Sequence, residues 1–234
     1  VPLVIVGCLL STLHQSSLGT LYLIVPGKLH ALWYTPALPF LFVVSAVGLG
    51  LAMLIVESHL SARAFGRQLE MPILTEVGRV LFAVLGIYAI IRLYDLGSRG
   101  VLGQAFNLSY ESVLFLVEFV PGLLLPMAML ASSKIRNNAR WLYAAGLLTV
   151  VGFIAHRLNV GITGFDSAQG GPYVPSWAEA GITLFLVTVG FAAFGFAVRH
   201  LNVYPETHEE HAAAPKVRIH VPSAPAEVPA HTSA

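Results

Sequence analysis

Charge is what this sequence has least of. Only 11% of its 234 residues are Asp, Glu, Lys or Arg, against about 25% in an ordinary soluble domain. The few charges nearly cancel, with 13 basic and 12 acidic side chains, so no basic surface for nucleic acid is available. Cysteine is almost absent too. The one thiol, Cys8, can close no internal disulfide, and the CxxC spacings of zinc or iron–sulfur sites are missing. Within its apolar run Cys8 reads as a small hydrophobe. No initiator methionine and no basic segment precede the first apolar run, so no signal peptide is visible, and the chain is expected to begin in the middle of something longer.

What is abundant is apolar surface. Hydrophobic residues make up 56% of the chain and the mean hydropathy is +0.75. Such a composition implies a polytopic membrane protein. A helix needs about 20 apolar residues to cross a bilayer core, and six stretches qualify: 2–25, 36–57, 73–95, 110–132, 139–158 and 177–200. All must be helical, because lipid offers the backbone no hydrogen-bond partners. The expected fold class is an all-α transmembrane bundle. Pro36 and Pro39 fall where a helix start tolerates them. Pro121 and Pro126 fall inside the fourth span, where they should kink it.

Lys and Arg in the short loops set the orientation. Arg63, Arg67, Lys134, Arg136, Arg140, Arg199, Lys216 and Arg218 fall on one side. Lys28 and Arg99, with Arg92 and Arg157 near the surface, fall on the other. The first side is expected to be cytoplasmic, which puts both ends of the chain there and the loops 26–35, 96–109 and 159–176 in the periplasm of a bacterial inner membrane. Trp33, Tyr34, Tyr94, Tyr110, Tyr173 and Trp177 would form the outer aromatic belt. Residues 203–234, rich in Ala, Pro, His and Glu, read as a disordered cytoplasmic tail after a bundle spanning 1–202. Its histidines (His208, His211, His220 and His231) read as solvated rather than metal-binding.

Polar residues inside the spans are costly and usually face a bundle interior or a water cavity. The first span contains LSTLHQSSLGTLYL, in which seven of the ten residues from Ser11 to Thr20 are polar. Ser11, His14 and Ser17 share one face, and Gln15 and Gly19 the next. The fourth span carries Glu111 and, about 10 Å deeper, Glu118. Arg92 and Asp95 end the third span at the outer level, while Glu57 lies at the inner end of the second, near the depth of Glu76 and Arg79. Three readings fit these residues. Histidine and hydroxyls could hold a quinone, whose carbonyls need donors. Two facing histidines could ligate a b-type haem, although His14 is central and His156 lies near the outer surface, a mismatched pair. Or the polar groups only join helices.

The stretches STLHQSSLGTLYL, PGKLHALWYTPALPFLF, RLNVGITG and PYVPSWAEAGITL, in that order, resemble the HybB-type membrane subunits of Ni–Fe hydrogenase complexes, within the NrfD/PsrC family of quinone-interacting membrane proteins. The resemblance covers roughly residues 1–200 and corresponds to the last six of about ten spans. It implies a non-autonomous subunit of an oxidoreductase complex with no haem, iron–sulfur cluster or other metal of its own and no catalytic residues in the usual sense. Electrons would pass between a periplasmic ferredoxin-like iron–sulfur subunit, or a multihaem cytochrome, and menaquinone or ubiquinone, with a catalytic subunit such as a Ni–Fe hydrogenase reached through that partner. The quinone pocket of relatives lies in a four-helix bundle whose last helix resembles the first span here. The expected quinone wall is therefore His14, Gln15, Ser16, Ser17 and Ser11, completed by preceding helices. Proton-transfer candidates are Glu118, Glu111, Arg92, Asp95 and Glu57. Candidates for docking the redox partner are His30, Trp33, Arg157, Asn159 and Tyr173. A haem cytochrome and a passive anchor stand as the alternatives.

Overall fold

The computed structural model describes residues 2–24, 27–65, 68–107, 109–166 and 176–200, and of Phe65, Val198 and Arg199 the backbone only. The described residues form helices and turns, with no strand among them. In chain order the helices are α1 (Pro2–Leu23), α2 (Leu38–Phe65), α3 (Met71–Ser98), α4 (Tyr110–Phe119), α5 (Leu125–Ala131), α6 (Ser133–Arg136), α7 (Ala139–Gly161) and α8 (Trp177–His200). Short 3₁₀ turns cover Leu102–Phe106 and Thr163–Phe165. A π-helical turn, Val120–Leu124, joins α4 to α5, so that the two make one interrupted span. Among the described residues, six segments are long and apolar enough to cross a membrane: Pro2–Leu23, Leu38–Ala64, Met71–Ser98, Tyr110–Ala131, Ala139–Phe165 and Trp177–Ala197. The all-helical membrane fold expected from hydropathy is the fold observed.

Element ends follow local chemistry. α2 begins after Pro36 and runs beyond residue 57 to Phe65, because nothing in SHLSARAF breaks a helix even where apolar character ends. Met71–Ser98 likewise outlasts the apolar run 73–95. It carries proline in its first turn, where no intrahelical N–H is needed, and stops before Gly100, whose φ of 67° favours a residue without Cβ. The Ser109 hydroxyl accepts from Ser112 N–H at 3.2 Å to start α4. The Asn138 side chain accepts from the N–H groups of Arg140 and Trp141 to start α7. The kink expected at Pro121 takes the form of the π turn: proline has no N–H to give, and Leu125 N–H reaches Val120 O, five residues back.

The chain divides into two units, residues 1–174 and 175–234. In the first, α1 lies along α2, α2 packs on α3 and α7, and α7 also touches α4, the π turn and α5. Very small residues permit these approaches. A Cβ on Gly19 would stand 2.5 Å from Pro39 Cα, and one on Gly122 would stand 2.6 Å from Gly152 Cα. The second contact seats the π turn directly on α7. Large apolar side chains such as Phe40, Val47, Ile87, Ile90 and Ile154 stay exposed on the outside of this unit, as lipid-facing residues do. In the second unit, α8 opens with Glu179 N–H bonded to the Ser176 hydroxyl at 3.3 Å and is apolar through most of its length.

One end of the first unit carries residues 27–37 and the two 3₁₀ turns; call it the Trp33 end. It is cross-linked by side chains. Arg99 donates to Asp95 Oδ2 at 2.6 Å and to Ala31 O at 2.9 Å. Thr35 donates to Asp95 Oδ1 at 2.8 Å, and His30 N–H donates to Gly164 O at 2.7 Å. The opposite end carries α6, where Arg136 donates to the carbonyls of Leu130 and Ala131.

The Gly122–Gly152 contact makes a stability prediction. Gly122→Ala should destabilise the detergent-solubilised protein by about 1–3 kcal/mol, the usual cost of overpacking. Gly86→Ala, where an added Cβ meets nothing within 4 Å, should leave the unfolding midpoint unchanged or slightly raised. Equal effects of the two substitutions in equilibrium denaturation would contradict the close helix contact.

Candidate functional site

Within the bundle, side chains of the segment 27–37 and of α7 meet on one carboxylate of α4, and a side chain of α3 joins through the imidazole. Glu118 on α4 is 6% exposed. Its Oε2 accepts from Trp33 Nε1 at 3.0 Å and from Asn159 Nδ2 at 2.9 Å. Its Oε1 lies 2.6 Å from His156 Nδ1. His156, 1% exposed, turns its other ring nitrogen to the Tyr88 hydroxyl on α3, at 3.3 Å. Asn159 Oδ1 in turn accepts from Thr163. An unpaired carboxylate in an apolar interior costs several kcal/mol; here both carboxylate oxygens have partners, two N–H donors on Oε2 and the imidazole on Oε1.

Arg92, also 1% exposed, stands beside this group. Its Nη2 donates to Leu32 O at 2.6 Å, its guanidinium lies over the Phe115 ring at 5.8 Å, and its charge acts on Glu118. Arg92 Nε and Nη1 find no acceptor among the described residues. A cavity of ≈ 10 Å³, about the room one water needs, is lined by Tyr88, Glu118, Phe119, Gly122, Leu123, Gly152, Phe153 and His156. It therefore opens where the π turn meets α7.

A second polar set lies between α1, α2 and α7. Arg157 Nη2 donates to Gln15 Oε1 at 3.0 Å, to Phe42 O at 3.0 Å and to Ser45 Oγ at 2.9 Å. Its guanidinium stacks on the Phe42 ring at 3.5 Å. The edge of that same ring faces His156 across 6.2 Å. Gln15 and Gly19 thus form the buried side of α1. Ser11, His14 and Ser17 are exposed on its other side, and Ser16 is half-buried, its carbonyl accepting from Thr20. His14 makes no hydrogen bond among the described residues. The first span therefore presents one polar face to its own bundle and leaves a second open.

Residues expected near one another from the sequence separate into groups. Glu118 and Arg92 share the buried cluster. Asp95 belongs to the Thr35–Arg99 cross-link at the Trp33 end. Glu111 is half-buried and Glu57 exposed, neither with a hydrogen-bond partner among the described residues. Among the docking candidates, Trp33 and Asn159 are buried with their N–H groups on Glu118, and Arg157 is held against Gln15 and Ser45. Those donors are already taken, by the Glu118 carboxylate for Trp33 and Asn159 and by Gln15 Oε1, Phe42 O and Ser45 Oγ for Arg157 Nη2. His30 is half-buried beside Trp33, ring centroids 5.7 Å apart. Tyr173 lies outside the described residues.

The sequence pointed to His156 only as half of a mismatched haem pair and to Tyr88 not at all, yet they complete the cluster. A signal did exist: Gly152, His156 and Asn159 fall at i, i+4 and i+7, one helix face. No hydropathy pattern could show that Glu118 lies opposite them. For haem ligation His156 is a poor fit, since both ring nitrogens already have partners and iron would need one of them free. Among the described residues no group of three or more His, Cys, Asp or Glu side chains comes together.

Comparison with known proteins agrees with this architecture. The family model described as "Polysulphide reductase, NrfD" matches residues 1–166. A curated protein of Nitratidesulfovibrio vulgaris is 31% identical over 221 residues, covering 89% of this chain and 56% of that protein. The "Probable Ni/Fe-hydrogenase 2 b-type cytochrome subunit" of Escherichia coli K12 is 29% identical, covering 91% of this chain and 56% of the relative. The "Menaquinone reductase, integral membrane subunit" of N. vulgaris is 28% identical, covering 87% and 54%. The chain spans about half the length of these curated relatives, and no solved structure matches. The family match covers most of the chain, including the whole buried cluster, and the chain is thus a multi-pass integral membrane protein of the NrfD family.

Proposed function

We propose that the chain is the membrane subunit of a quinone-linked oxidoreductase complex in a bacterial inner membrane. The observation that carries this reading is the open polar face of α1, with Ser11, His14 and Ser17 exposed at mid-helix while Gln15 and Gly19 pack inward. An imidazole and hydroxyls at membrane depth, turned away from their own bundle, need a polar partner. A quinone fits that donor set, since its two carbonyl oxygens accept hydrogen bonds. The similarity to a menaquinone reductase subunit and to a hydrogenase cytochrome subunit supports the same class.

When bound, a quinone supplies two-electron, two-proton redox chemistry between the membrane and a redox partner. This chain's share is to orient and protonate. His14 would donate to a quinone oxygen and, as an imidazole, would also deliver a proton. Ser11, Ser16 and Ser17 would supply further donors, and Arg157 would hold Gln15 and so fix the rotation of α1. Further helices, matching the half of the curated relatives that this chain does not span, would close the pocket. Electrons would come from or go to an iron–sulfur or multihaem partner on the periplasmic side, with a hydrogenase-like catalytic subunit beyond it. The exposed parts of the Trp33 end, including His30, remain the docking surface. Asp95 and Arg99 would act there by stiffening the loop that carries it.

Two experiments test this reading. In the assembled complex, His14→Ala should slow quinone-linked turnover by about 10²-fold, the scale of losing one donor at a developing oxyanion, while activity with an artificial dye that bypasses the membrane stays normal. Quinone turnover within about twofold of normal in an assembled complex, far below that scale, would reduce His14 to a packing residue. For orientation, a chain with Cys8 replaced by Ala and a single new cysteine is probed with a membrane-impermeant maleimide. Lys28→Cys should react from the periplasm and Lys134→Cys only from the cytoplasm. The reverse pattern would put the redox partner on the wrong side.

A further inference from the structure

The quinone reading uses α1 and leaves the buried carboxylate of the bundle, 6% exposed, unexplained. A carboxylate that only had to be neutralised could be met by a guanidinium in a bidentate pair. Instead Arg92 bonds to a backbone carbonyl, and the direct ionisable partner of Glu118 is an imidazole. The two ring nitrogens of His156 connect different groups, Glu118 Oε1 at 2.6 Å and the Tyr88 hydroxyl at 3.3 Å. Tyr88, His156 and Glu118 all line the same water-sized cavity. That cavity lies at a π turn, an interruption that costs backbone regularity and often accompanies functional sites.

We propose that Glu118, His156 and Tyr88 form a buried proton-exchange site whose ligand is a proton delivered by water, a site distinct from the open face of α1 and independent of any quinone there. The geometry orders the steps. A hydronium ion formed at the cavity water gives a proton to the Tyr88 hydroxyl oxygen as that hydroxyl passes its own proton to His156 Nε2. The N–H bond at Nδ1 then breaks as an O–H bond forms at Glu118 Oε1. The net change is hydronium plus carboxylate going to water plus carboxylic acid, with the phenol restored and the imidazole neutral in its other tautomer. Trp33 and Asn159 remain hydrogen-bonded to Oε2 in both states, so the carboxyl group does not have to move.

The charges facing the site decide what protonation does. From α3 these are Tyr88 and Arg92, from α7 His156 and Arg157, and from the segment 27–37 only His30, which reaches the site through the Trp33 ring. With Glu118 ionised and His156 neutral, the Arg92 and Glu118 charges cancel. Taking up a proton leaves Arg92 uncompensated, its Nε and Nη1 still without an acceptor among the described residues. The carboxylic acid should therefore form only toward the acid end of a titration, and the site should give the proton up again as the pH rises.

Infrared difference spectroscopy of the full protein in lipid nanodiscs tests the proposal, stepping between about pH 3 and 8, a window that covers the ordinary carboxylate and imidazole ranges. The expected result is a carboxylic-acid carbonyl band that grows at low pH, shifts in D₂O and is lost in Glu118→Gln. Glutamine suits this position: its oxygen can accept from Trp33 and Asn159, and its amide can donate to Nδ1 of the other His156 tautomer. If Glu118→Gln does not fold, Glu118→Asp serves, and the band must then move rather than vanish. Tyr88→Phe should keep the band but slow its deuterium exchange by about 10²-fold, the contribution of one positioned proton donor. A merely structural cluster would show no titrating carbonyl band in this window, or one unaltered by substituting Glu118, or exchange that ignores Tyr88; any of these overturns the proposal.

Discussion

A carboxylate buried away from bulk water is the constraint around which the first unit is arranged. Desolvating Glu118 costs several kcal/mol unless donors meet it, and no single helix can supply them. The donors come from the segment before α2 through Trp33 and from α7 through His156 and Asn159. Each must be delivered at about 3 Å, which fixes the rotation of α7 relative to α4 and the depth to which residues 27–37 dip into the bundle. The cross-links at the Trp33 end serve the same geometry. Arg92 holds Leu32 O and Arg99 holds Ala31 O, immediately before the indole that must reach Glu118. Removing Glu118 would release three donors at once, and removing any one donor would leave part of a buried charge unmet.

Close helix contact and polar chemistry depend on each other here. Gly122 and Gly152 let the π turn rest on α7 with no side chain between them, and that contact sets the spacing across which Glu118 and His156 meet. The proline that interrupts α4 is thus more than a kink. It permits the π turn, and the turn forms one wall of the cavity beside the pair. Farther toward α1, the Phe42 ring lies between Arg157 and His156, so the two polar sets share an aromatic neighbour while their hydrogen bonds remain separate. α1 is tied to the first unit through Gln15 and Arg157 on one face, and on the other it displays the polar groups that the proposed function needs.

Much of the architecture could be read from hydropathy, because lipid imposes a length and a backbone geometry that any sequence must obey. The six spans and the break at Pro121 follow from that alone. Helix ends were less legible: SHLSARAF is helical without being apolar, and no pattern of hydrophobicity marks its end. The site was half legible. Glu118 and Arg92 stood out as charges in apolar runs. Their partners did not, because Trp33 reads equally well as an interfacial anchor and Asn159 as a loop residue. His156 seemed too near the surface to matter, yet α7 continues to Gly161 and keeps it inside. Pairing across helices is a tertiary fact, and one sequence carries no record of which faces meet.

The central claim is that the bundle turns one polar face of α1 inward and reserves the other for a redox ligand or the helices around it. A cryo-electron microscopy map of the intact membrane assembly in lipid tests this most directly. The account predicts that Ser11, His14 and Ser17 contact protein or quinone-shaped density, with His14 within hydrogen-bonding distance of a polar atom, while Gln15 remains on Arg157. Ordered acyl chains packed against the His14 ring would contradict it.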